Sequence, residues 1–385
     1  MSVRVLQIIP TLDRSGAEKQ LVMLATGLPR DKFDVHVCAL TRGGPLAADL
    51  ERAGIPLTII GKRGKIDPFA YFRLKRLIKS LRPDIVHTWI FAANAYGRQA
   101  AHAAGVRHIV GGERCVDPWK RWHELWIDRR LARVSERIAT NSSGVVDFYT
   151  SKGIPADKFV VIPNGIAMPG ESEQAPGPHE TLVGAAAETR TAARTALLNE
   201  LGLPVDSRLI GCVARLWPQK RFEDLIWATE LLKCVHDDVH LLIIGDGPQR
   251  WWLERYTSKV QIHDRVHFLG ERNDVARILP HLYCFWLGSG YEGQSNSLME
   301  AMAAAVPVVA TDIAGNRDLV VPGETGFLVP VGDRAEFARK TQRMLEDPAL
   351  AARLGAAGRE RMRREFSVEK MIERHAALYS QLAGG

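Results

Sequence analysis

Residues 288–315, GSGYEGQSNSLMEAMAAAVPVVATDIAG, contain the features that decide the fold. The preceding residues 282–287 form an apolar run typical of a buried strand, and the apolar residues after position 297 recur at helical spacing. A glycine-rich loop joins them, and glycines permit a tight turn and close approach of the backbone to a ligand. The start of a helix presents unpaired N–H groups that favour a phosphate. The stretch therefore predicts an α/β protein that binds a nucleotide diphosphate at this loop.

Two carboxylates in this stretch are candidates for chemistry. Glu292 lies in the loop between glycines, where a carboxylate suits hydrogen bonds from sugar hydroxyls, and Glu300 lies on the helix that follows. Ser297-x-x-Glu300 also matches a capping box, in which the glutamate only caps the helix. The pattern leaves both roles of Glu300 open.

The same stretch supports a second kind of enzyme. Gly288-x-Gly290-x-x-Gly293, with Asp312 near the end of the next strand, matches the dinucleotide-binding fingerprint. An NAD(P)-dependent oxidoreductase is therefore the alternative to a sugar-binding enzyme. Against it, this fingerprint usually lies on the first strand of a domain, whereas here it lies deep in the second half of the chain.

Length and composition indicate a globular protein. The chain has 385 residues, enough for two domains with full hydrophobic cores. No apolar run approaches the roughly 18 residues of a membrane span. A strand pattern begins at residue 3, with no signal-peptide apolar region before it. The five cysteines are dispersed and never spaced Cys-x-x-Cys, which indicates reduced thiols and a cytoplasmic location.

The charge is divided unevenly along the chain. Residues 1–165 carry 26 Lys and Arg against 15 Asp and Glu, whereas residues 166–385 carry 25 against 29. The basic half is expected to face an anionic partner, which could be a membrane surface, a phosphorylated lipid or a nucleic acid. Solvated surface charge is the alternative.

The order of strand and helix patterns predicts two Rossmann-like, doubly wound domains with a cleft between them. Apolar strand and helix patterns alternate over residues 1–167 and again over 205–367, which implies two parallel sheets. Residues 168–204 are rich in Pro, Gly, Ala, Glu and Thr at their start and suit a linker or surface excursion. An amphipathic helix over about 368–385 ends the chain. Sheets of this type bind ligands beyond the carboxyl ends of their strands, so the cleft is the expected site.

Three strand ends in these domains carry further candidate residues. Arg215 and Lys220 follow a strand, where they could clamp a diphosphate, the arginine through its bidentate fork. Gly245 follows the next strand and Gly16 the first strand of the chain, and each permits close approach to a ligand, although each also suits an ordinary turn.

A basic aromatic segment in the first half has two interpretations. Trp119, Trp122 and Trp126 fall at helical spacing among lysines and arginines, as in a helix that lies on a membrane interface. A stripe that faces the core is the commoner arrangement. A second basic cluster over residues 62–82 contains eight Lys and Arg and a single acid, Asp67. No nucleic-acid-binding signature accompanies it, so no nucleic-acid partner is expected.

Several chemistries are excluded by missing motifs. The sequence contains no Gly-x4-Gly-Lys-Ser/Thr loop, no His-Glu-x-x-His and no Gly-x-Ser-x-Gly. Its twelve histidines show no ligand spacing, so no metal is expected.

Taken together, these motifs resemble the retaining family 4 glycosyltransferases, which have the GT-B fold. The resemblance covers nearly the whole chain except residues 168–194. Its most specific part is 292–302, followed by 307–312 and 324–329. Support comes from Arg215 with Lys220, 245–248, 163–165, 83–87 and 15–18.

The resemblance implies a role for each candidate. Glu292 would contact the donor sugar and Glu300 the ribose, while Arg215 and Lys220 would neutralise the diphosphate leaving group. The backbone after Glu292 would assist, and Gly16 would bring a loop of the N-terminal domain against the donor. The assisting residues are Gly293, Gln294, Ser295 and Asn296. Such enzymes retain the anomeric configuration without a metal or other cofactor, because fixed cations and helix dipoles stabilise the departing diphosphate.

The sequence departs from the family pattern at four places. Ser15 replaces a glycine, Ala167 stands where an Asp is common, and Asp318 stands where a Glu is common. Family members often carry a histidine where this sequence reads Gly111-Gly-Glu113-Arg114. These departures leave the catalytic base unassigned and keep a catalytically inactive GT-B scaffold among the alternatives.

The predicted activity is transfer of a hexose-type sugar from a nucleotide diphosphate donor. The acceptor is expected to be a glycan precursor, a lipid-linked sugar or a small molecule. The C-terminal helix is expected to pack on the N-terminal domain, and the basic N-terminal domain to attach peripherally to the inner face of a membrane.

Overall fold

The computed structural model describes residues 2–168, 179 and 185–384. It divides into two compact units: unit 1 comprises Met1–Gly165 with Phe366–Gly385, and unit 2 comprises Ile166–Glu365. Unit 2 begins at Ile166, whereas the sequence predicts a linker over residues 168–204 before the second domain. Each unit has its own parallel sheet and its own core.

Unit 1 alternates strands and helices along the chain. Its elements up to residue 165 are β1 (Val3–Ile9), α1 (Gly16–Gly27), β2 (Phe33–Ala39), α2 (Ala47–Arg52), β3 (Leu57–Ile59), α3 (Pro68–Leu81), β4 (Ile85–Trp89), α4 (Ile90–Ala104), β5 (His108–Glu113), α5 (Trp122–Val134), β6 (Arg137–Thr140), α6 (Ser143–Ser151) and β7 (Phe159–Val161).

Unit 2 repeats the alternation. Its elements are α7 (Ala185–Leu201), β8 (Arg208–Val213), α8 (Phe222–Lys233), β9 (Val239–Ile244), α9 (Arg250–Lys259), β10 (Val266–Gly270), α10 (Val275–Ile278), β11 (Cys284–Leu287), α11 (Asn296–Ala303), β12 (Val308–Thr311), α12 (Ala314–Arg317), β13 (Phe327–Val329), α13 (Arg334–Glu346) and α14 (Pro348–Glu365). One more helix, α15 (Val368–Gly384), returns the chain to unit 1.

Both sheets are parallel and doubly wound. The strand order is β3-β2-β1-β4-β5-β6-β7 in unit 1 and β10-β9-β8-β11-β12-β13 in unit 2. Central strands such as β4, β9 and β11 are buried along their whole length, since helices cover both faces of the sheet. The order reverses between β1 and β4 in unit 1 and between β8 and β11 in unit 2, which is where such sheets bind ligands.

The C-terminal helix packs on unit 1, as predicted. Met371, Leu378 and Leu382 of α15 are buried in the same core cluster as the strands β1 and β2. The Tyr379 hydroxyl accepts a hydrogen bond from Gln7 Nε2 (2.8 Å) and lies 2.7 Å from His87 Nδ1. Polar and apolar contacts therefore both tie α15 to the centre of the sheet.

The segment predicted as a linker over residues 168–204 is partly a helix. Helix α7 occupies Ala185–Leu201, and Leu197 and Leu198 on it are buried. Arg194 donates a hydrogen bond from Nη1 to the His281 carbonyl at 3.1 Å. The composition of the segment suggested a linker, and the helix was therefore missed. Its Ala-rich sequence is nevertheless a strong helix former. Residues 169–178 and 180–184 of the predicted linker lie outside the described residues.

The predicted core-facing stripe of tryptophans is wrong. Trp119, Trp122 and Trp126 are 56%, 78% and 50% exposed, and α5 begins at Trp122, so Trp119 precedes the helix. Helix α5 instead buries Leu131 and Ala132 together with Asp128. Within the part of the chain that the structure describes, no helix is both long and apolar enough to cross a membrane.

Candidate active site

Three adjacent strands of unit 2 bring the predicted site residues to one edge of its sheet. The strands β9, β8 and β11 are neighbours and run parallel, so their carboxyl ends lie side by side. Arg215 and Lys220 follow β8, Gly245 follows β9, and the loop with Glu292 follows β11. This edge includes the point where the strand order reverses, the expected ligand position in such a sheet.

Lys220 and Glu292 form an ion pair at this edge. The Lys220 ammonium contacts Glu292 Oε1, and the two side chains are 16% and 10% exposed. The Ser289 hydroxyl donates a second hydrogen bond to the same carboxylate oxygen at 2.8 Å. The pair joins the loops after β8 and β11, which are separated by more than seventy residues of sequence.

Backbone contacts hold the same two loops together. The Gly290 N–H donates to the Gln219 carbonyl at 2.9 Å, and Gln219 Nε2 donates to the Tyr291 carbonyl at 2.7 Å. A Cβ added at Gly288 would lie 3.1 Å from the Lys220 carbonyl oxygen. Gly288 therefore permits close packing between the two loops.

Arg215 is the exposed cation of this edge. Its guanidinium lies 5.9 Å from the centre of the Trp217 ring. The neighbouring Leu216 N–H donates to the Asp246 carbonyl at 2.9 Å, which joins the Arg215 loop to the turn after β9. Gly245 in that turn has φ +134°, and a Cβ there would lie 2.1 Å from the Ala214 carbonyl oxygen. A glycine is needed at position 245 for this packing, whatever ligand lies nearby.

Helix α11 begins at Asn296 and is capped by Ser295, whose Oγ accepts from the Leu298 N–H at 3.5 Å. The capping box expected between Ser297 and Glu300 is therefore wrong, because Ser297 lies inside the helix. Gln294 and Ser295 are buried at the helix start. Glu300 lies one turn into α11 and is partly exposed.

Asp312, the acid of the alternative dinucleotide fingerprint, is engaged elsewhere. Its carboxylate accepts a hydrogen bond from Arg317 Nε at 2.6 Å, and its N–H donates to the Val329 carbonyl at 2.7 Å. The side chain is 40% exposed. Asp312 is thus a surface partner of Arg317 next to β13.

Three residues that support the Glu292 loop were not predicted. Thr311 donates from Oγ1 to the Ser289 carbonyl at 2.5 Å, and Asn316 Nδ2 donates to the Thr311 carbonyl at 2.9 Å. A Cβ added at Gly315 would lie only 1.6 Å from the Gly293 carbonyl oxygen. These contacts depend on β11 and β12 being neighbours, which no local sequence signal discloses.

Gly16 lies in unit 1, at the start of α1. The helix follows β1, the strand at the order reversal of that sheet. Ser15, which replaces a glycine of the family pattern, contacts the Glu18 carboxylate through its hydroxyl. Glu18 is buried and also accepts from the Thr11 hydroxyl at 3.3 Å. Ser15 therefore supports the turn through its side chain.

The place of the family histidine is taken by two residues with structural contacts. Glu113 is buried and accepts hydrogen bonds from Asn94 Nδ2 (2.8 Å) and the Tyr149 hydroxyl (3.1 Å). Arg98 and Lys120 each lie 3.6 Å from its carboxylate. Glu113 is thus enclosed in a charge network.

Arg114 stacks on Trp89, with its guanidinium 4.1 Å from the ring centre. Burial lowers the pKa of Arg114 to about 10, which still leaves it protonated at neutral pH. Glu113 and Arg114 are thus both engaged in contacts within unit 1.

The unit 2 edge combines fixed positive charge with a hydrogen-bonding carboxylate. Arg215 and Lys220 can bind a diphosphate, and the first turn of α11 adds N–H groups and the positive end of its dipole. Glu292 can accept hydrogen bonds from hydroxyl groups once Lys220 turns to a phosphate. The arrangement suits a ligand that carries a diphosphate beside a polyhydroxylated group.

The two parallel, doubly wound sheets are those of a GT-B protein. Models of two families match the chain: Glycosyltransferase Family 4 over residues 14–168 and Glycosyl transferases group 1 over residues 193–361. The chain belongs to the family 4 glycosyltransferases and is a glycosyltransferase.

Two relatives and one solved structure match nearly the whole chain. The 2-deoxystreptamine glucosyltransferase of Streptomyces kanamyceticus is 31% identical, with 100% of this chain and 99% of that protein covered. An Escherichia coli UDP-Gal:alpha-D-GlcNAc-diphosphoundecaprenol alpha-1,3-galactosyltransferase is 27% identical over 97% of this chain and 95% of its own. The crystal structure of Anabaena Alr3699/HepE in complex with UDP-glucose superposes with a TM-score of 0.83 at 23% identity, covering 98% of this chain and 99% of that one.

Proposed function

We propose that the enzyme transfers a hexose from a nucleotide diphosphate donor with retention of anomeric configuration and without a metal ion. The contact between the Lys220 ammonium and the Glu292 carboxylate supports this proposal, because a cation that could bind the diphosphate lies beside a carboxylate that could bind the sugar. Arg215 at the same edge adds the second cation. The names of the Escherichia coli and Streptomyces relatives, a galactosyltransferase that uses UDP-Gal and a glucosyltransferase, support a hexose donor.

Donor binding would separate the pair. The diphosphate would take the Lys220 ammonium and the Arg215 guanidinium, while sugar hydroxyls would take the freed oxygens of Glu292. As the bond to the anomeric carbon breaks, negative charge grows on the departing diphosphate, and fixed cations stabilise this charge more than that of the bound donor. The leaving phosphate would accept the acceptor's proton, which needs no protein base. Glu300, one turn into α11, is proposed to hold the ribose.

The acceptor is proposed to be a glycan, a lipid-linked sugar or a small molecule. The two relatives differ here, because one name contains a diphosphoundecaprenol-linked sugar and the other 2-deoxystreptamine. A lipid-linked acceptor would lie at a membrane, and the excess of Lys and Arg over residues 1–165 favours peripheral attachment to an anionic inner face.

A transfer assay tests this proposal. The enzyme would be incubated with UDP-, GDP- and ADP-hexoses and a mixed acceptor panel, with release of the nucleoside diphosphate measured before and after addition of EDTA. We expect release with one donor, unchanged by EDTA, and a product whose anomeric coupling in NMR equals that of the donor. Inversion, or loss of activity with EDTA that Mg²⁺ restores, would contradict the proposed mechanism.

A further inference from the structure

Six of the large apolar side chains that unit 1 exposes fall into two clusters. The first cluster, Ile66, Phe69 and Phe72, is 86%, 75% and 63% exposed, and the second is the tryptophan group at positions 119, 122 and 126. Large apolar side chains are usually buried in the folded protein. A group of them that is exposed together marks an interaction site. We refer to these six residues as the aromatic rim.

The two clusters lie at the same edge and on the same face of unit 1. All strands of the sheet are parallel, so the starts of α3, α4 and α5 all lie at its carboxyl edge. These three helices follow strands that progress in one direction across the sheet, which places them on one face. Helix α4 packs against both α3 and α5.

Specific contacts hold each cluster in position. The Asp67 carboxylate accepts from the Ala70 and Arg63 N–H groups, both at 2.9 Å, and the Asp67 N–H donates to the Tyr96 hydroxyl of α4 at 2.7 Å. On the other side, Lys120 lies 4.9 Å from the Phe91 ring of α4. Both segments that carry the rim residues are therefore held against α4, one on each side of it.

Burial of Lys120 anchors the tryptophan cluster further. Its ammonium donates to Asp128 at 2.9 Å, to the Tyr149 hydroxyl, and lies 3.2 Å from Asp117. Burial alone would lower the pKa of Lys120, but Glu113 and its two other carboxylate neighbours raise it. Lys120 stays charged, and the segment that carries Trp119 and Trp122 is held to the body of unit 1.

The surface around the aromatic rim is positively charged. Helix α3 contains no acidic residue, and its exposed side bears Phe69 and Phe72 together with cations. The two acidic residues of α5 offset little of this positive charge. Glu124 accepts a hydrogen bond from the Arg121 N–H at 2.8 Å, and Asp128 is buried. The segments that carry the rim residues include the cations Arg63, Lys65, Lys75, Arg76, Lys79, Arg121, Arg129, Arg130 and Arg133.

We propose that the aromatic rim and the cations around it form a membrane-docking surface for anionic lipid headgroups. Aromatic side chains that project beside lysines and arginines suit the interface of an anionic bilayer, where the rings enter the headgroup region and the cations contact phosphates. The inference rests on the proposed function in one respect, since docking would hold the carboxyl edge of the unit 1 sheet against the membrane that contains a lipid-linked acceptor.

Vesicle flotation with two matched double variants tests the surface. Wild-type enzyme, Phe69→Ser/Phe72→Ser and Trp122→Ser/Trp126→Ser would be mixed with vesicles of phosphatidylcholine containing 30% phosphatidylglycerol, in about 0.05 M and 0.5 M NaCl. We expect wild type to bind at low salt and to keep part of its binding at high salt, because apolar insertion is not screened. Each double variant should bind about tenfold more weakly or worse.

A control variant in unit 2 distinguishes binding through the aromatic rim from non-specific adsorption of any exposed aromatic side chain. Trp251 on α9 is 66% exposed and lies beside Arg255, so Trp251→Ser removes a comparable ring outside the rim and should leave vesicle binding unchanged. Wild type that fails to bind at low salt, or double variants that bind like wild type, would overturn the proposal. Loss of self-association in the double variants without loss of vesicle binding would also overturn it, since the rim would then contact protein.

Donor binding measured without vesicles distinguishes failure of the membrane-docking proposal from failure of the proposed function. The rim variants should bind nucleotide sugars with unchanged affinity, because their substitutions lie in unit 1 and leave Lys220 and Glu292 intact. Vesicle binding in an enzyme without donor affinity would refute the catalytic assignment alone.

Discussion

At the scale of single residues, the pairing of Lys220 with Glu292 decides what the unit 2 edge can do. The Lys220 and Glu292 side chains are mostly buried. Because a buried charge needs a partner of opposite sign, the ion pair stabilises both groups when no ligand is bound. A donor with a diphosphate and hydroxyl groups can replace both halves of the pair at once. A neutral ligand would leave both charges without a partner, which disfavours its binding.

Removal of either cation is expected to slow sugar transfer. Lys220→Ala and Arg215→Ala should each lower kcat by about 10²–10³-fold, the range observed when one fixed donor to a developing charge is lost. Arg317→Ala is the matched control, since it removes an arginine whose partner is Asp312 at the surface. Steady-state kinetics with the identified donor measures the effect, and wild-type kcat in both variants would refute the assigned roles.

At the scale of elements, the loop after β11 keeps its shape through close contact with α12. Gly315 allows this contact, because any side chain there would overlap the Gly293 carbonyl. The sequence identified the strand, the loop and the helix of this stretch, since each has a clear periodicity or turn signal. It could not identify Gly315, Thr311 or Asn316 as supports, because those contacts follow from strand neighbours that are set by the whole sheet.

Two glycine substitutions in this region should differ sharply in their effects on stability and on sugar transfer. Gly315→Ala is expected to displace the Glu292 loop, to cost about 1–3 kcal/mol of stability and to reduce transfer strongly. Gly290→Ala should be mild, because the added Cβ would lie 3.5 Å from its nearest neighbour, the Arg221 side chain. The free energy of unfolding from urea titration and kcat would be compared. Severe loss in Gly290→Ala with a mild effect of Gly315→Ala would contradict the packing role of Gly315.

Helix α15 makes unit 1 sensitive to acid. Burial and the neighbouring Arg114 lower the pKa of His375 to about 3. Burial, followed by His375 and Arg114, lowers the pKa of His87 well below its ordinary value. Both histidines are neutral in the folded state and become protonated more readily on unfolding. Their contribution to stability is therefore complete above pH about 6.5 and is lost as the pH falls below it.

A histidine substitution should flatten this pH dependence. Each histidine contributes a slope of about 1.4 kcal/mol per pH unit below pH 6.5, so His375→Gln should reduce the slope by about that amount between pH 4 and 6. Met371→Leu on the same helix changes packing without removing a titrating group and should leave the slope unchanged. Urea unfolding at several pH values gives the slopes, and equal slopes for wild type and His375→Gln would contradict the burial argument.

At the scale of the whole molecule, the chain forms two units with separate cores. The alternation of strand and helix patterns predicted both sheets, and the amphipathic final helix predicted its return to unit 1. The helix α7 was missed because composition suggested a linker, and the exposure of Trp122 was missed because helical spacing of aromatics does not distinguish a core from an interface. Both errors arose where tertiary packing overrode a local pattern.

Core substitutions should act mainly on the unit that contains them. Leu378→Ala on α15 and Leu241→Ala on β9 each remove a buried side chain and should cost about 2–5 kcal/mol. Hydrogen exchange should then accelerate in β1 and β4 for the first variant and in β8 and β11 for the second. Equal acceleration in both sheets for both variants would show that the two units unfold together.

The central claim is that Glu292 binds the donor's sugar while Lys220 binds its diphosphate, and calorimetry tests it most directly. Affinities for the nucleoside diphosphate and for its sugar derivative would be measured for wild type, Glu292→Gln and Lys220→Ala. We predict that Lys220→Ala weakens binding of both ligands by about tenfold or more. Glu292→Gln should weaken only the sugar derivative. Equal weakening of both ligands by Glu292→Gln, or no weakening by Lys220→Ala, would contradict the account.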